Sequence, residues 1–169
     1  MTEEIINRVT QSALVTFDLG DHYPRGERKV LDIKQWLYEG LILREKDFRT
    51  ALADHDWSHY RDCYVALGCS TDAIVPGWAY MLIGSHLKPF VRQMVIGDLE
   101  QLETALYHGI LQELDVTPYQ DKSVIIKGCN DKPVPPNAYL WATAKLQTVA
   151  KSIMYGEACS SVPLFKRRK

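Results

Sequence analysis

Three of the four cysteines in the chain follow short apolar segments at spacings that allow them to share one chemistry. Cys69 and Cys129 each come directly after a glycine, which lets the backbone turn sharply. Cys159 comes two residues after the end of another apolar segment. Because thiolates bind zinc, iron and iron–sulfur clusters and are also good nucleophiles, the pattern predicts a functional thiol site.

A metal centre is the preferred interpretation, with Cys69, Cys129 and Cys159 as its thiolate ligands. A further ligand would come from water, from a partner, or from one of three carboxylates near the cysteines in the sequence: Asp72, Asp131 and Glu157. Three protein ligands and an open position are typical of catalytic or transfer sites, whereas structural zinc normally has four ligands. The sequence therefore predicts a metal-binding accessory protein that holds zinc, iron or an iron–sulfur cluster.

Two alternative functions stay open. In the first, one cysteine is the nucleophile of a thiol-dependent enzyme, activated at a helix N-terminus where the dipole favours the thiolate. In the second, the chain is an interaction module with buried structural cysteines, since free cysteine is among the most buried residue types. Cys63 fits such packing, because it precedes its strand and belongs at the opposite edge of the sheet. Asp72 and Asp131 also fit as caps of the helices that follow them.

The elements that would position these residues form a repeated pattern. Units at about 64–98 and 123–157 each contain an apolar strand, a loop with a cysteine, a helix, and a second strand that ends in glycine and an acidic residue. The matching landmarks are Val75-Pro76 with Val134-Pro135, Ala79-Tyr80 with Ala138-Tyr139, and Gly97-Asp98 with Gly156-Glu157. The sequence therefore predicts an internally duplicated β-loop-α-β unit.

Alternating strands and helices predict an α/β fold with a mostly parallel sheet flanked by helices. Asp98 and Gln101 form a capping box for a helix between the two units. The carboxyl ends of parallel strands meet at one edge of a sheet, and ligand sites of open sheets lie there. We therefore expect Cys69, Cys129 and Cys159 at one edge of a single sheet.

The first 60 residues are predicted to form a strand at 13–19, a short strand at 28–31 and two helices. Asp32 caps the first helix, whose apolar positions extend to Leu41, and the second helix covers 45–53. His55 to Tyr60 is interpreted as a surface connection. Since 169 residues with 46% hydrophobic content suffice for one core, residues 1–169 are expected to form a single domain.

The charge balance argues against two classes of partner. A net charge of -1, from 20 basic and 21 acidic residues, provides no field that attracts nucleic acid or anionic lipid. No apolar run is long enough to span a bilayer, and the N-terminus lacks the pattern of a secretory signal. We therefore expect a cytoplasmic protein with reduced thiols, and the sequence leaves open whether it forms a homo-oligomer.

Several segments of the sequence resemble a bacterial family of unknown function, domain-of-unknown-function family 2480. They cover nearly the whole chain and comprise residues 14–19, 26–28, 41–49, 69–76, 127–129 with 133–135, and 151–157 with Cys159. The resemblance implies no particular activity. It does imply an association with iron–sulfur cluster assembly proteins.

Overall fold

The structure, a computed structural model, describes residues 14–128 and 131–168. Its strands are β1 (Leu14–Asp18), β2 (Arg28–Asp32), β3 (Tyr64–Gly68), β4 (Gln93–Ile96), β5 (Ser123–Lys127), β6 (Ser152–Glu157) and β7 (Ser160–Lys166). Its α-helices are α1 (Glu45–Asp54), α2 (Gly77–Leu87), α3 (Leu99–Gln112) and α4 (Pro136–Gln147). Short 3₁₀ helices cover Leu19–His22, Ile33–Trp36, Trp57–Tyr60 and Thr117–Tyr119. The predicted mixed α/β composition is confirmed.

The strands are divided between two sheets, where the sequence analysis expected one. One sheet has the order β2-β3-β4, and all of its strands are parallel. The other has the order β1-β5-β6-β7, in which only β7 is antiparallel. The prediction of mostly parallel strands is confirmed, but the partner of each strand depends on contacts that are distant in sequence. β1 pairs with β5, and β2 pairs with β3.

Each sheet belongs to its own compact unit. Residues from Pro24 to Leu106 form one unit, and residues up to Tyr23 together with those from Tyr107 onward form the other. The organisation of the whole chain as a single domain stays a prediction.

None of the helices within the described ranges has both the length and the apolar character needed to cross a bilayer.

The core of the Pro24–Leu106 unit lies on both faces of β3. Val65 and Leu67 pack on one face with Phe48 and Leu52 of α1 and with residues of α2. Ala66 packs on the other face with two residues from the first half of α3, Leu102 and Leu106. Burial on both faces explains why β3 is a continuous apolar run.

In the other unit, β5 occupies the corresponding central position. Val124 and Ile126 are buried with Tyr107 and with residues of α4. The Tyr107 hydroxyl donates a hydrogen bond to the Leu19 carbonyl at 2.9 Å, which satisfies a polar group inside this core.

The two β-α-β segments have matching local geometry. Tyr64 of β3 pairs with the first residue of β4, and Ser123 of β5 pairs with the first residue of β6. Gly97 and Gly156 both have positive φ, 139° and 116°, which favours glycine. The residues before the central strands, Asp62 and Asp121, also match, with φ of 59° and 55°. These similarities agree with the predicted duplication, which itself stays a prediction.

The helix predicted to begin at Asp32 is a single 3₁₀ turn, Ile33–Trp36. Asp32 caps it as predicted, but the chain reverses at Gly40, which has a φ of 71°. The Tyr38 amide then donates to the Ile42 carbonyl at 2.8 Å. Because this reversal uses backbone groups that a helix would need, the helical apolar spacing is overridden.

The segment interpreted as a surface connection, His55 to Tyr60, is partly buried instead. Trp57 and Tyr60 are only 7% and 9% exposed. The Trp57 indole N–H donates to the Leu52 carbonyl at 2.9 Å. Two large aromatic side chains in this short segment therefore belong to the core.

Candidate functional site

The predicted thiol ligands lie in different parts of the fold. Cys69 is half-buried directly after β3, and Cys159 is exposed in the turn between β6 and β7. These strands belong to different sheets, and Cys129 lies outside the described residues. Among the residues that the structure describes, no group of three or more His, Cys, Asp or Glu side chains is placed to hold a metal ion. The three-thiol site stays a prediction.

Cys63 lies at the amino end of β3 and is 3% exposed. Its Sγ is 3.4 Å from the Arg61 carbonyl oxygen and 3.7 Å from Glu27 Oε2. Burial is the main cause that raises the pKa of this thiol. Burial and a raised pKa agree with the packing role that the sequence suggests for Cys63, which stays a prediction.

Cys69 lies at the carboxyl edge of the three-stranded sheet, and its thiol is hydrogen-bonded to the loop that follows it. Its Sγ is 3.4 Å from Thr71 Oγ1, and Thr71 Oγ1 is 2.7 Å from the Gly40 carbonyl oxygen. A carbonyl only accepts, so the single hydroxyl proton of Thr71 goes to Gly40. The Cys69 thiol must then be the donor to Thr71. Cys69 is thereby connected through Thr71 to the reversal at Gly40.

Asp32 holds the loop that follows Cys69. Asp32 is the last residue of β2, and its carboxylate accepts from Ser70 Oγ at 2.6 Å, from the Ser70 amide at 3.1 Å and from the Lys34 amide at 3.0 Å. These hydrogen bonds, that from the Ser70 hydroxyl first, lower the pKa of Asp32. The loop is therefore attached at Ser70 and, through the Gly40 carbonyl, at Thr71.

An open groove lies beside this loop, with a volume of about 700 Å³. We call it the apolar groove. Its lining residues are Leu41, Ile42, Leu43, Glu45, Asp72, Ala73, Ile74, Pro76 and Trp78. Exposure reaches 92% at Ile74 and is 55% at Leu41 and 54% at Ile42. The groove thus presents large apolar side chains to solvent on both of its sides.

Trp78 lines the apolar groove and packs against a buried residue of the core. Its ring lies edge-on to Phe48, with centroids 5.9 Å apart, and Phe48 is fully buried. The Arg49 guanidinium lies 5.5 Å from the Trp78 ring centroid. The position of Trp78 is therefore set by both apolar and cation–π contacts.

The four-stranded sheet has charged residues at its own carboxyl edge. Lys127 Nζ lies 3.5 Å from Asp18 Oδ2 and 3.9 Å from Glu157 Oε1. Glu157 therefore pairs with a lysine in the described structure. Asp131, the remaining carboxylate predicted as a ligand, is exposed.

The chain matches the model of a family described as protein of unknown function (DUF2480) over residues 3–167. The chain belongs to this family. No curated protein and no solved structure gives a match to it. The resemblance seen in the sequence is therefore confirmed for this DUF2480 protein, and the family supplies no activity from which to assign a function.

The sequence pointed to one residue of the apolar groove, Asp72, as a possible metal ligand, and did not point to the apolar ones. Ile74 and Trp78 look like core residues in sequence because they are large and adjacent to a predicted helix. The apolar spacing predicts Leu41 as part of a helix, but the helical turn ends at Trp36. One sequence feature could have indicated the groove: the segments around Leu41 and Ile74 combine apolar residues with turn residues, which is unusual for segments that are exposed.

Proposed function

We propose that the protein is an interaction module that holds an apolar segment of a partner protein, carrying a basic residue, in the apolar groove. The observation that carries this proposal is the concentration of exposed large apolar side chains around one concave surface. Contiguous exposed apolar surface of this kind marks interaction sites in soluble proteins.

The exposure of the lining residues favours a protein segment over a small molecule. Small-molecule sites usually bury most of the surface of their ligand. Here Ile74 is 92% exposed and Trp78 is 36% exposed, so a small ligand would stay largely in contact with water. A longer segment covers more of an open groove, as helices and strands do in grooves of other proteins.

The loop on one side of the groove is held in place before any partner arrives. Asp32 accepts two hydrogen bonds from Ser70, and Thr71 donates one to the Gly40 carbonyl. Fixing a binding surface in advance lowers the entropic cost of association. The groove is therefore suited to bind without folding on contact.

Two carboxylates in the lining support a basic residue in the partner. Asp72 and Glu45 are the charged residues among the groove side chains. Glu45 pairs with Arg49 at 2.9 Å, but both side chains are more than half exposed. Exposed pairs of this type contribute little, so exchange for a partner's lysine or arginine costs little.

The first prediction concerns selection of peptides by the whole protein from a random library. We expect the selected peptides to be rich in apolar residues and to contain a lysine or arginine. Ile74→Glu should weaken their binding by at least about tenfold, about 1.4 kcal/mol, because the change places a charge in the apolar contact. Titration calorimetry or fluorescence anisotropy would measure the dissociation constants.

Ile96→Glu is the matched control, since Ile96 is also an exposed isoleucine, at 61%, and does not line the groove. Binding should be unchanged in that variant. Asp72→Asn should reduce both the affinity and its dependence on salt. Peptides that bind the Ile74 variant as tightly as the unmodified protein would contradict the proposal.

Metal binding by Cys69, Cys129 and Cys159 is a second candidate function. The observation in its favour is that Cys69 and Cys159 are free thiols just beyond the carboxyl ends of the parallel strands β3 and β6. Zinc or an iron–sulfur cluster would be the ligand, and iron–sulfur assembly proteins would be the partners. Asp72, Asp131 or Glu157 would complete the coordination.

The second prediction tests this candidate by metal analysis of protein purified without oxygen. Cys159→Ser should release the bound metal, because serine is a poor ligand for the metals that thiolates prefer. Cys63→Ser should retain it, since Cys63 is buried at the opposite end of its strand. Equal metal content in the unmodified protein and the Cys159 variant would exclude the three-thiol site.

A further inference from the structure

His55 places a titratable ring inside an aromatic cluster. It follows α1 directly, and its ring centroid lies 5.2 Å from that of Trp36, 4.7 Å from that of Trp57 and 5.9 Å from that of Tyr60. Its Nε2 is buried and has no hydrogen-bond partner among the described residues. A buried ring nitrogen without a partner is costly, so it calls for an explanation.

A continuous set of ring contacts joins this cluster to the apolar groove. Trp36 lies edge-on to Phe48, with centroids 6.1 Å apart, and Phe48 lies edge-on to Trp78 at 5.9 Å. Phe48 is fully buried, so a displacement of Trp36 is transmitted to closely packed neighbours. Three ring contacts therefore connect His55 with Trp78, which lines the groove.

The surroundings of His55 do not favour its charged form. The charged and titratable groups on the elements packed around it are Lys34, Glu45, Lys46, Asp47, Arg49, Asp54, Asp56, His59, Tyr60, Tyr80 and His86. Burial is the main cause that lowers the pKa of His55, His59 lowers it further, and Asp56 opposes both. Asp56 is already bound by Ser58 Oγ at 2.6 Å and by His59 Nε2 at 3.0 Å. Its carboxylate oxygens therefore already have partners other than His55.

We infer that the apolar groove is pH-responsive, and that protonation of His55 drives its ring out of the aromatic cluster, loosens Trp78 and weakens binding of the partner segment. This inference rests on the proposed function. The ring is partly exposed and lies at the C-terminus of α1, where the helix dipole stabilises an imidazolium that has turned to solvent. The packed ring and a ring turned to solvent would be the two states that a switch needs.

The sign of the effect follows from proton linkage. Because the folded pKa of His55 lies below its unfolded value, the unfolded and loosened states bind more protons as the pH falls through about 6.5. The packed state is therefore most stable above this pH and loses stability below it. Acidification should open the cluster, and a return to neutral pH should restore it.

The third prediction is tested by ¹⁹F NMR of the full chain labelled with 5-fluorotryptophan, with the Trp78 signal assigned through Trp78→Phe. Between about pH 8 and about pH 5.5, the Trp78 signal should titrate with a midpoint below about 6.5. His55→Phe, and as a second variant His55→Gln, should abolish the titration. His59→Gln should keep it, since that side chain is 71% exposed. A titration that persists without His55, or a midpoint above 6.5, would overturn the inference.

A second experiment measures binding of a peptide selected from the library at neutral pH. Its dissociation constant should rise by about fivefold or more at pH 5.5 for the unmodified protein, and should stay constant for the His55 variants. A constant affinity despite a titrating Trp78 would also overturn the inference. Failure to find any peptide that depends on Ile74 would count against the proposed function alone, because the ¹⁹F titration requires no ligand.

Discussion

Glu103→Ala should lower the free energy of unfolding by about 3 kcal/mol, because it leaves a largely buried, charged guanidinium without this carboxylate. Glu103 is 5% exposed, and its two oxygens accept from Arg28 Nε at 2.6 Å and Arg28 Nη2 at 3.1 Å. Arg28 Nη1 also donates to the Pro24 and Gly26 carbonyls. These remaining contacts place the loss at the lower end of the range for a broken buried pair. Urea denaturation would measure it.

The double variant Arg28→Met with Glu103→Leu is the control for this fourth prediction. It removes both charges and fills the space with apolar atoms, so it should recover more than half of the lost stability. A single variant that loses less than about 1 kcal/mol would indicate that water screens the pair, which is the usual behaviour of surface pairs.

Phe48→Ala should lower the free energy of unfolding by about 3 to 5 kcal/mol, the cost of removing a large aromatic side chain from a packed core. Phe48 is fully buried and contacts both Trp36 and Trp78. The variant should also weaken peptide binding in the apolar groove, because Trp78 loses its support. Denaturation and binding measurements on the same preparation would check both effects.

Phe90→Ala is the matched control for this fifth prediction. Phe90 is half-buried at the border of the same core, with the Arg61 guanidinium 5.4 Å from its ring centroid. Its loss should cost less stability and leave peptide binding unchanged. If both variants behaved alike in the binding measurement, Phe48 would not be the support of the groove.

If protonation of His55 alters the groove, the effect must pass through Phe48, which lies between Trp36 and Trp78. Variants of Phe48 therefore give a second test of the inference. Smaller side chains at Phe48 should uncouple the Trp78 signal from the protonation of His55 while the His55 ring still titrates. Such a result would separate the packing role of the cluster from the proton-binding role of its histidine.

Local patterns in the sequence predicted many elements of this fold. Asp98 and Gln101 hydrogen-bond reciprocally at 2.9 Å, as expected of a capping box at the start of α3. The predicted helix at 45–53 is α1, and the apolar runs before Cys69 and Cys129 are the central strands β3 and β5. These features depend on neighbouring residues only, so they can be predicted from one chain without its tertiary contacts.

Other elements depend on distant contacts. β7 is held by pairing with β6, and half-exposed residues such as Val162 and Leu164 give it only a weak pattern of its own. The helix expected after Asp32 is replaced by a reversal at Gly40. Helical spacing was present there, but backbone hydrogen bonds of the reversal prevailed.

The sequence by itself determined the fold class and the family. Only the tertiary structure decided which strands share a sheet, because strand pairing depends on long-range contacts that leave no local trace in the sequence. It placed β3 and β6, the strands that precede Cys69 and Cys159, in different sheets. It also brought Leu41 and Ile74, which lie far apart in the chain, to the same apolar groove. Exposure is a property of the folded surface, so a large apolar residue at a binding site cannot be told from a core residue until its neighbours are known.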